Sequence, residues 1–337
     1  MPRLKKRTVI AAAFQAAEGT FTNPADATDT LFLVQDVVFK AEPTIIVRDF
    51  IGQSFAAKGP AANTNKLARI TFRTEIMGSG AAGTEPKWSR FIKACGFKTT
   101  TVASVSNTYN PTVPSSLAYD NTGANGNTVL SIEVHEDGLV RSARDCRGTF
   151  RITGEAGSLA YIDWEFMGIY NGEADAAYPV LSTGFDNQQP PIFESASAAW
   201  HGLSASVILL RTWNFDLGNV LSPRFDANAS TGLRSVLITD RKSTATVDPE
   251  TPLLAEWTIG SVGRLIAGTV GAFAVTVGGI AGNRLAFSSP SALAQVTDVS
   301  EGDRDSIRAD TLTFAFNAPM NESDASTADD DIQLSLT

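Results

Sequence analysis

The stretch ITFRTEIMGSGAAGTEPKWSRFIKACGF, residues 70–97, contains a strand pattern, a glycine-rich turn and a helix pattern in immediate succession. In the strand part, Ile70 and Phe72 fall on one face while Arg69 and Arg73 fall on the other. Strict alternation of this kind indicates an antiparallel strand with one face on a core and one face in water. The strands of an α/β enzyme would instead be continuously apolar and would alternate with long amphipathic helices.

The second part of the stretch predicts one short helix over residues 85–95. Thr84 is a candidate N-cap, and Pro86 stands in the first turn, where a missing N–H is harmless. An apolar stripe at the helical spacing i, i+3, i+4 and i+7 is formed by Trp88, Phe91, Ile92 and Cys95. Gly96 follows the stripe and is placed to end the helix. The stripe predicts that this helix packs on the sheet.

The turn between the two elements has the spacing G-x-G-x-x-G at Gly78, Gly80 and Gly83. A dinucleotide-binding loop requires a buried parallel strand before it and an acidic residue about twenty positions later. The preceding strand alternates with charges, and the segment KTTTVASVSN at residues 98–107 contains no acid. We therefore interpret the glycines as a tight strand-to-helix turn. A dinucleotide-binding enzyme based on GSGAAG is the alternative.

Composition limits the class of protein. The chain has 337 residues, 43% of them hydrophobic and 19% charged, which is sufficient for a buried core. The formal net charge of −9 makes it a poor candidate for gripping nucleic acid, because phosphate binding needs clustered Lys and Arg. Two cysteines, Cys95 and Cys146, are too few for a disulfide framework and favour a reducing compartment.

Alternation recurs along the whole chain. Its clearest occurrences are TVLSIEVHEDG, GTFRITG, LAYIDWEFMG, NFDLGN, RSVLITD, LLAEWTIG, TLTFAFN and the terminal DIQLSLT. Short strands separated by Gly, Asn, Asp and Pro predict a mainly β protein, an antiparallel sandwich or barrel with one short α-helix packed on the sheet. A second β-rich domain is expected from the length of the chain.

The paired prolines Pro190 and Pro191 mark the best domain boundary. We predict a first β domain over residues 1–189 and a second over residues 190–337. The second domain is a candidate diverged repeat of the first, because residues 146–166 resemble residues 240–259. Chance similarity between β-rich segments is the alternative explanation.

Two segments imitate membrane or export signals. Residues 265–282, LIAGTVGAFAVTVGGIAG, are uncharged over about the minimum spanning length, but their glycines, valines and threonines fit a hairpin better. We predict strands in AFAVTV and RLAFSS with a GGIAGN turn between them. The N-terminal MPRLKKRTVIAAAF has a basic cluster, yet its apolar run ends at Gln15 and is short for a signal peptide.

No pattern of catalytic or metal-binding residues emerges. His135 and His201 are the only histidines and lack the spacing of zinc ligands. A G-x-S-x-G nucleophile elbow is missing, and the acidic segments near residues 300–310 and 328–331 lack the ligand order of a calcium loop. We predict no enzyme activity, no cofactor and no metal, which favours a structural or assembly role.

The segments together resemble the major tail tube proteins of long-tailed, siphovirus-like bacteriophages over nearly the full length. The most specific part is EIMGSGAAGTEPKWSRFIKACGF, followed by a Y-x-P segment at Tyr109 to Pro111. Further matches, in order, are EDGLVRSARDCRGTFRI, WEFMGIYNG, PPIFESA, FDLGN, ITDRKSTATVDPE, GGIAGNRLAF, GDRDSIRADTLTFAFN and DDDIQLSLT. The polar loop at residues 114–127 is longer than the family pattern.

The resemblance implies a β-sandwich-like protomer that assembles into stacked rings, forming the tube through which genomic double-stranded DNA passes without specific binding. It implies as partners the tail terminator and tail tip proteins and a tape measure protein in the lumen, and no membrane. The expected location is the virion tail, assembled in the bacterial cytoplasm. The tube of a tail-like bacteriocin or another injection device is the nearer alternative.

A conduit for DNA must not hold phosphates, so a negative or balanced wall is expected. We expect alternate polar residues of a continuous sheet to line the bore, and strand edges to be paired between copies. Three copies would complete a ring if the halves repeat one fold, and six if they do not. Candidate inter-ring contacts lie in a basic N-terminal arm and a polar loop: Arg3, Lys5, Lys6, Arg7, Tyr109, Pro111 and Tyr119.

Overall fold

Strands make up most of the chain in the computed structural model. The model describes residues 4–24, 31–50, 58–179, 186, 188–194, 197–319 and 329–337. Within those ranges, antiparallel strands and two short α-helices are present, so the prediction of a mainly β protein is confirmed.

The elements of the first half are β1 Thr8–Phe14, β2 Leu31–Phe32, β3 Gln35–Asp49, β4 Lys58–Glu75, α1 Ser89–Ala94, β5 Phe97–Val102, β6 Ser106–Pro111, β7 Leu130–Glu136, β8 Leu139–Glu155 and β9 Tyr161–Asp175. The elements of the second half are β10 Ser197–Trp200, β11 Leu210–Asp216, β12 Asn219–Phe225, β13 Leu233–Arg241, β14 Thr244–Pro249, α2 Gly260–Ala267, β15 Val270–Gly271, β16 Phe273–Val277, β17 Leu285–Ser288, β18 Ala294–Arg304, β19 Ile307–Phe316 and β20 Gln333–Leu336.

One large antiparallel sheet runs through both halves. Its strand order is β3-β4-β9-β8-β11-β14-β19-β18, and β7, β1 and β2 continue from the other part of β8. A smaller sheet has the order β10-β16-β17-β20-β6-β5. Both of these sheets therefore contain strands from both sides of residue 190, whereas β12 and β13 form a separate two-stranded sheet. Hydrogen bonds between strands thus join the two halves of the chain. The domain boundary at 189/190 stays a prediction.

The two halves of the large sheet share one strand order. In each half a long hairpin is followed by a helix, a small hairpin and a second long hairpin, whose last strand pairs with the second strand of the first hairpin. Thus β3-β4-β9-β8 corresponds to β11-β14-β19-β18. In the small sheet the two small hairpins face each other across β20, with β17 on one side and β6 on the other. Their strands therefore run in reversed order along the sheet, and only the large sheet repeats one strand order.

This correspondence differs from the predicted sequence repeat. Residues 146–166 lie in β8 and β9, whose counterparts are β18 and β19. Residues 240–259 instead contain the end of β13, β14 and a turn region. The two segments thus lie in strands that do not correspond, as short alternating strands resemble one another wherever they lie in the sheet, and the diverged repeat stays a prediction.

The core of the first half is an aromatic cluster around α1. Phe91 is fully buried, and its ring lies 4.6–5.6 Å from the rings of Phe32, Phe72, Trp164 and Phe166. The predicted stripe residues of α1 are all buried: Trp88, Phe91, Ile92 and Cys95. The alternation in β4 has the predicted effect, because Ile70 and Phe72 are buried against this cluster.

Replacing Phe91 by Ala should destabilise the protein by about 3–5 kcal/mol, because the cavity opens among four aromatic rings that cannot all move into it. Urea unfolding followed by tryptophan fluorescence measures the change. Phe91→Leu is the matched control and should cost less than half as much. Equal losses for both variants would contradict tight packing at this position.

The start of α1 differs from the prediction. The helix begins at Ser89 and has no side-chain cap, so Thr84 does not cap it. The N–H of Lys87 donates to the Asp186 carboxylate at 2.7 Å, which keeps that residue in the preceding turn. The predicted end is present, because Gly96 has φ +90° and its N–H donates to the carbonyl of Lys93.

The second helix was not predicted, and the predicted strand LLAEWTIG is wrong. Residues 253–259 form turns that lead into α2, where Trp257 is buried and Arg264 lies over its ring at 4.9 Å. A buried aromatic anchor thus overrides the period-two pattern. The predicted hairpin that follows is confirmed as β16 and β17. In the described ranges no helix has the length and apolarity needed to cross a membrane.

Candidate assembly surfaces

The glycine-rich turn of residues 78–83 is a contact between the two halves of the chain. The N–H of Gly80 donates to the carbonyl of Gly282 at 2.9 Å, and that of Gly78 donates to Asn283 Oδ1 at 2.7 Å. A Cβ on Gly78 would lie 2.0 Å from the Gly282 oxygen. Gly83 has φ +74°, and a Cβ there would lie 2.4 Å from the backbone nitrogen of Ser104. Glycine is needed here for backbone-to-backbone approach.

Gly78→Ala is therefore expected to cost about 1–3 kcal/mol, since the methyl group must push two backbone segments apart. Gly279→Ala, in the opposing turn, is the control. Nothing lies within 4 Å of a Cβ at that position, and its effect should stay within about 0.5 kcal/mol. Thermal unfolding of both variants measures the difference, and equal midpoints would contradict the close approach.

The same hydrogen bonds bear on phosphate binding. A phosphate cradle needs free backbone N–H groups at a helix N-terminus that point at the phosphate. Here the N–H groups of Gly78 and Gly80 are occupied by the second half, and α1 starts only at Ser89. The turn therefore does not present a dinucleotide-binding geometry in this conformation.

The histidines and cysteines are engaged locally. His135 Nε2 lies 3.0 Å from Glu133, and His201 is buried with Nε2 2.9 Å from the carbonyl of Ala294. Burial, and then the nearby Arg264, lower the pKa of His201. Burial raises the pKa of the Cys95 and Cys146 thiols. Among the residues that the structure describes, no three His, Cys, Asp or Glu side chains are grouped to hold a metal.

One face of the large sheet is mostly polar. The polar face carries the following side chains of β4, β8, β9, β11, β14 and β19: Arg69, Thr71, Arg73, Glu75, Thr149, Arg151, Thr153, Asp163, Glu165, Asn214, Asp216, Thr244, Thr246 and Thr313. The opposite face packs against the small sheet and the helices. The alternation predicted from sequence thus produces a largely hydrophilic surface, interrupted by Val38, Tyr161, Met167 and Ala315.

Arginines on the polar face are paired with carboxylates on adjacent strands. Arg73 Nε lies 2.6 Å from Asp163, and the hydrogen bond to this partner raises the pKa of Arg73. Arg151 Nε lies 2.7 Å from Asp216, and Arg69 pairs with Glu165. Exposed pairs of this kind add at most about 1 kcal/mol each to stability. Their larger effect is to cancel positive charge across the face.

The ends of the large sheet are open edges. In the described residues β3 hydrogen-bonds only to β4, and β18 beyond Gln295 hydrogen-bonds only to β19. At the junction between the halves, β8 and β11 pair antiparallel from Arg151↔Asp216 to Glu155↔Thr212. In the strand correspondence between the halves, β3 is equivalent to β11 and β18 is equivalent to β8. The two open edges are therefore equivalent to the two strands that pair with each other at this junction.

The hairpin β3–β4 extends beyond the rest of the sheet. Residues 43–50 and 58–66, here called the free arm, lie past the last β4–β9 pair at Leu67. Its large apolar side chains are half exposed or more: Ile45, Ile46, Val47 and Phe50. A two-stranded ribbon with exposed apolar groups is only marginally stable in water alone, which indicates a binding surface.

The predicted inter-ring residues have mixed positions. Arg3 lies outside the described residues, and Lys5 and Lys6 are exposed. Arg7 binds Asp137 at 2.5 Å and is thus tied to its own chain.

The polar loop is also held within the chain. Tyr109 and Pro111 are buried, which leaves neither side chain a surface to offer another ring. The Tyr119 hydroxyl donates to the carbonyl of Gln15 at 2.7 Å. Asp120 accepts the N–H groups of Thr122 and Asn125, so hydrogen bonds within the chain hold this loop.

Sequence reasoning did not identify the free arm or the exposed face of α2. The signal for the arm was the apolar run TIIV at residues 44–47, which follows Pro43 and lacks strict alternation. In comparisons with known proteins, no protein-family model and no curated protein sequence matches the chain.

Proposed function

We propose that this chain is the tube protein of a long bacteriophage tail, which assembles into stacked rings that conduct the genome. The observation that carries the proposal is the large sheet, whose halves have the same strand order and whose outer strands are open. A sheet with this arrangement can continue into the next copy by hydrogen bonding between the outer strands of the two copies. Closing it into a ring pairs both of these open edges, which would otherwise be aggregation hazards.

The junction inside the chain supplies the geometry of the junction between copies. We propose that β18 of one copy pairs antiparallel with β3 of the next, as β8 pairs with β11. Strand direction alternates throughout the large sheet, so this added pair preserves the alternation.

Barrel geometry favours three copies. Each copy contributes the eight strands β3, β4, β9, β8, β11, β14, β19 and β18. With strands about 4.8 Å apart and tilted by about 40°, three copies close at a backbone diameter of roughly 50 Å. That diameter leaves a bore for a DNA duplex after side chains are subtracted. Six copies would double it, far beyond what a close-fitting conduit needs.

The polar face is proposed to line the bore, because the opposite face is already covered by the small sheet and the helices. Its arginines are held by Asp163, Asp216 and Glu165, so the wall offers few free cations to phosphates. Without such contacts there is little counterion release to hold DNA in place. In this proposal the bore wall avoids binding DNA because its arginines are paired with carboxylates, and a large excess of acidic residues is not needed.

A tail-like bacteriocin or another injection device would use the same ring, and the proposal covers that tube as its nearest alternative. The terminator, tip and tape measure partners follow from the resemblance to tail tube proteins. The dinucleotide-binding alternative has only the spacing of the glycines in its favour.

Purified full-length protein should form rings or tubes in negative stain, with sedimentation showing concentration-dependent assembly. Calorimetry with NAD should give no binding. A protein that stays monomeric at every concentration, or one that binds NAD, would remove the proposal.

A further inference from the structure

The long hairpin of the second half bends back onto the first half, whereas the long hairpin of the first half extends beyond the sheet as the free arm. Strands β11 and β12 form one side of the second hairpin, and β13 and β14 form the other, with a bend at Leu217–Gly218. A Cβ on Gly218 would lie 2.2 Å from the carbonyl oxygen of Lys242, so the bend requires glycine. Beyond it, β12 and β13, here called the folded arm, turn back onto the first half.

The folded arm covers the C-terminal end of α1 and the neighbouring part of β8. Asn219 Nδ2 donates to the carbonyls of Cys95 at 2.8 Å and Gly148 at 2.9 Å. Ile238 Cδ1 lies 3.3 Å from the Cβ position of Gly96. The buried Arg147 of β8 donates to the carbonyl of Val236 at 2.6 Å. This contact buries the end of α1 inside the chain.

Among the residues that the structure describes, none covers the corresponding apolar side chains of the second half. Helix α2 packs beside β18 as α1 packs beside β8, and it ends at Gly268 as α1 ends near Gly96. Around this end, Val262 and Val270 are about half exposed, and Ile266 is 82% exposed. An apolar surface of this kind marks an interaction site. The free arm, the counterpart of the folded arm, meets the folded arm near Gly232, whose Cβ position lies 2.7 Å from Asn65 Oδ1, while its apolar side chains at Ile45–Val47 and Phe50 are exposed.

The free arm also has an irregularity where the folded arm bends. The β3–β4 register shifts between Glu42 and Thr44, at Pro43. Matching Phe39, the aromatic residue of β3, to Trp213, the first core aromatic of β11, places Pro43 at the level of Leu217. A β-bulge bends a strand and increases its twist. The free arm is thus built to turn at the same level.

We propose that the free arm of one copy docks on the C-terminal end of α2 in the adjacent copy, in the way the folded arm docks on α1 within the chain. The proposal rests on the proposed ring. When β3 of one copy lies along β18 of its neighbour, the arm leaves the sheet beside α2 of that neighbour. Docking buries Ile46 and Phe50 against Val262 and Ile266, and it orders the arm.

The test uses two single-cysteine additions in separate full-length proteins, Ile46→Cys and Ile266→Cys. The native Cys95 and Cys146 are buried, so a short bismaleimide reacts with the added thiols. The mixture of the two proteins should give a covalent dimer under assembly conditions, and neither protein alone should. Ile280→Cys, 74% exposed on another surface, replaces Ile266→Cys as the control and should give none.

A second variant separates this contact from the ring itself. Ile266→Asp changes an exposed side chain, so the protein should fold with an unchanged unfolding midpoint. Its concentration for assembly should rise at least about tenfold. Wild-type rings together with unchanged assembly of Ile266→Asp and no dimer in the mixture would overturn the docking and leave the ring intact. Absence of wild-type rings would instead overturn the proposed function.

Discussion

Cysteines placed on the two open edges should link copies into a closed covalent ring. Lys40→Cys on β3 is combined in turn with Asp298→Cys, Ser300→Cys or Gly302→Cys on β18, in one chain. These three β18 positions share the polar-face side, two residues apart, so one of them should lie opposite Lys40. Paired strands bring opposite Cα atoms to about 4.5–5.5 Å, within the range of a disulfide.

Oxidation of assembled protein should then give a ladder on denaturing gels that stops at three chains. The control pairs Lys40→Cys with Glu301→Cys, whose side chain points to the opposite side of β18. That pair should stay monomeric, because its sulfurs are separated by the sheet. A ladder ending at six would replace the proposed copy number. A complete lack of linkage in all three combinations would contradict pairing of these edges.

Reversing one charge on the polar face should turn the conduit into a DNA-binding tube. Asp163→Lys removes the partner of Arg73 and adds a second cation beside it. In every ring this places several unpaired cations around the bore, and stacked rings multiply them along the DNA. We expect tight binding whose affinity falls about a thousandfold or more between 50 and 200 mM salt, as for 6–10 phosphate contacts. Wild-type tubes should show little binding under the same conditions.

Asp240→Lys is the matched control, since it makes the same charge change elsewhere. Asp240 lies on β13 and forms an exposed ion pair with Lys242. Binding of labelled duplex DNA to assembled tubes is measured by sedimentation over the salt series. Equal binding by both variants would show that net charge alone matters and would contradict a bore lined by the polar face.

Local patterns predicted the strands and the stripe of α1 well, because both depend on periodicity within a few residues. Ile70 and Phe72 are buried as their alternation requires, and the Gly96 end of α1 is set by its own φ. The start of α1 could not be predicted because the N–H of Lys87 is bound by Asp186, 99 residues away. Long-range partners of this kind leave no mark on a local pattern.

The surfaces that carry the proposal were predicted only in part. The polar face follows from alternation, but the pairing of Arg73 with Asp163 depends on which strands become neighbours. The glycine turn has the positive φ values expected at Gly80 and Gly83, but its contacts with Gly282 and Asn283 could not be predicted, since these residues lie in the other half. The free arm was missed because exposure of Ile45 to Val47 is a property of the fold.

A cryo-EM map of the purified protein assembled in vitro tests the central claim most directly. The account predicts a continuous barrel in which β18 of each copy is hydrogen-bonded to β3 of the next and Arg73, Asp163, Arg151 and Asp216 face the bore. Particles in which these two strands remain unpaired, or in which the polar face lies on the outside, would contradict it.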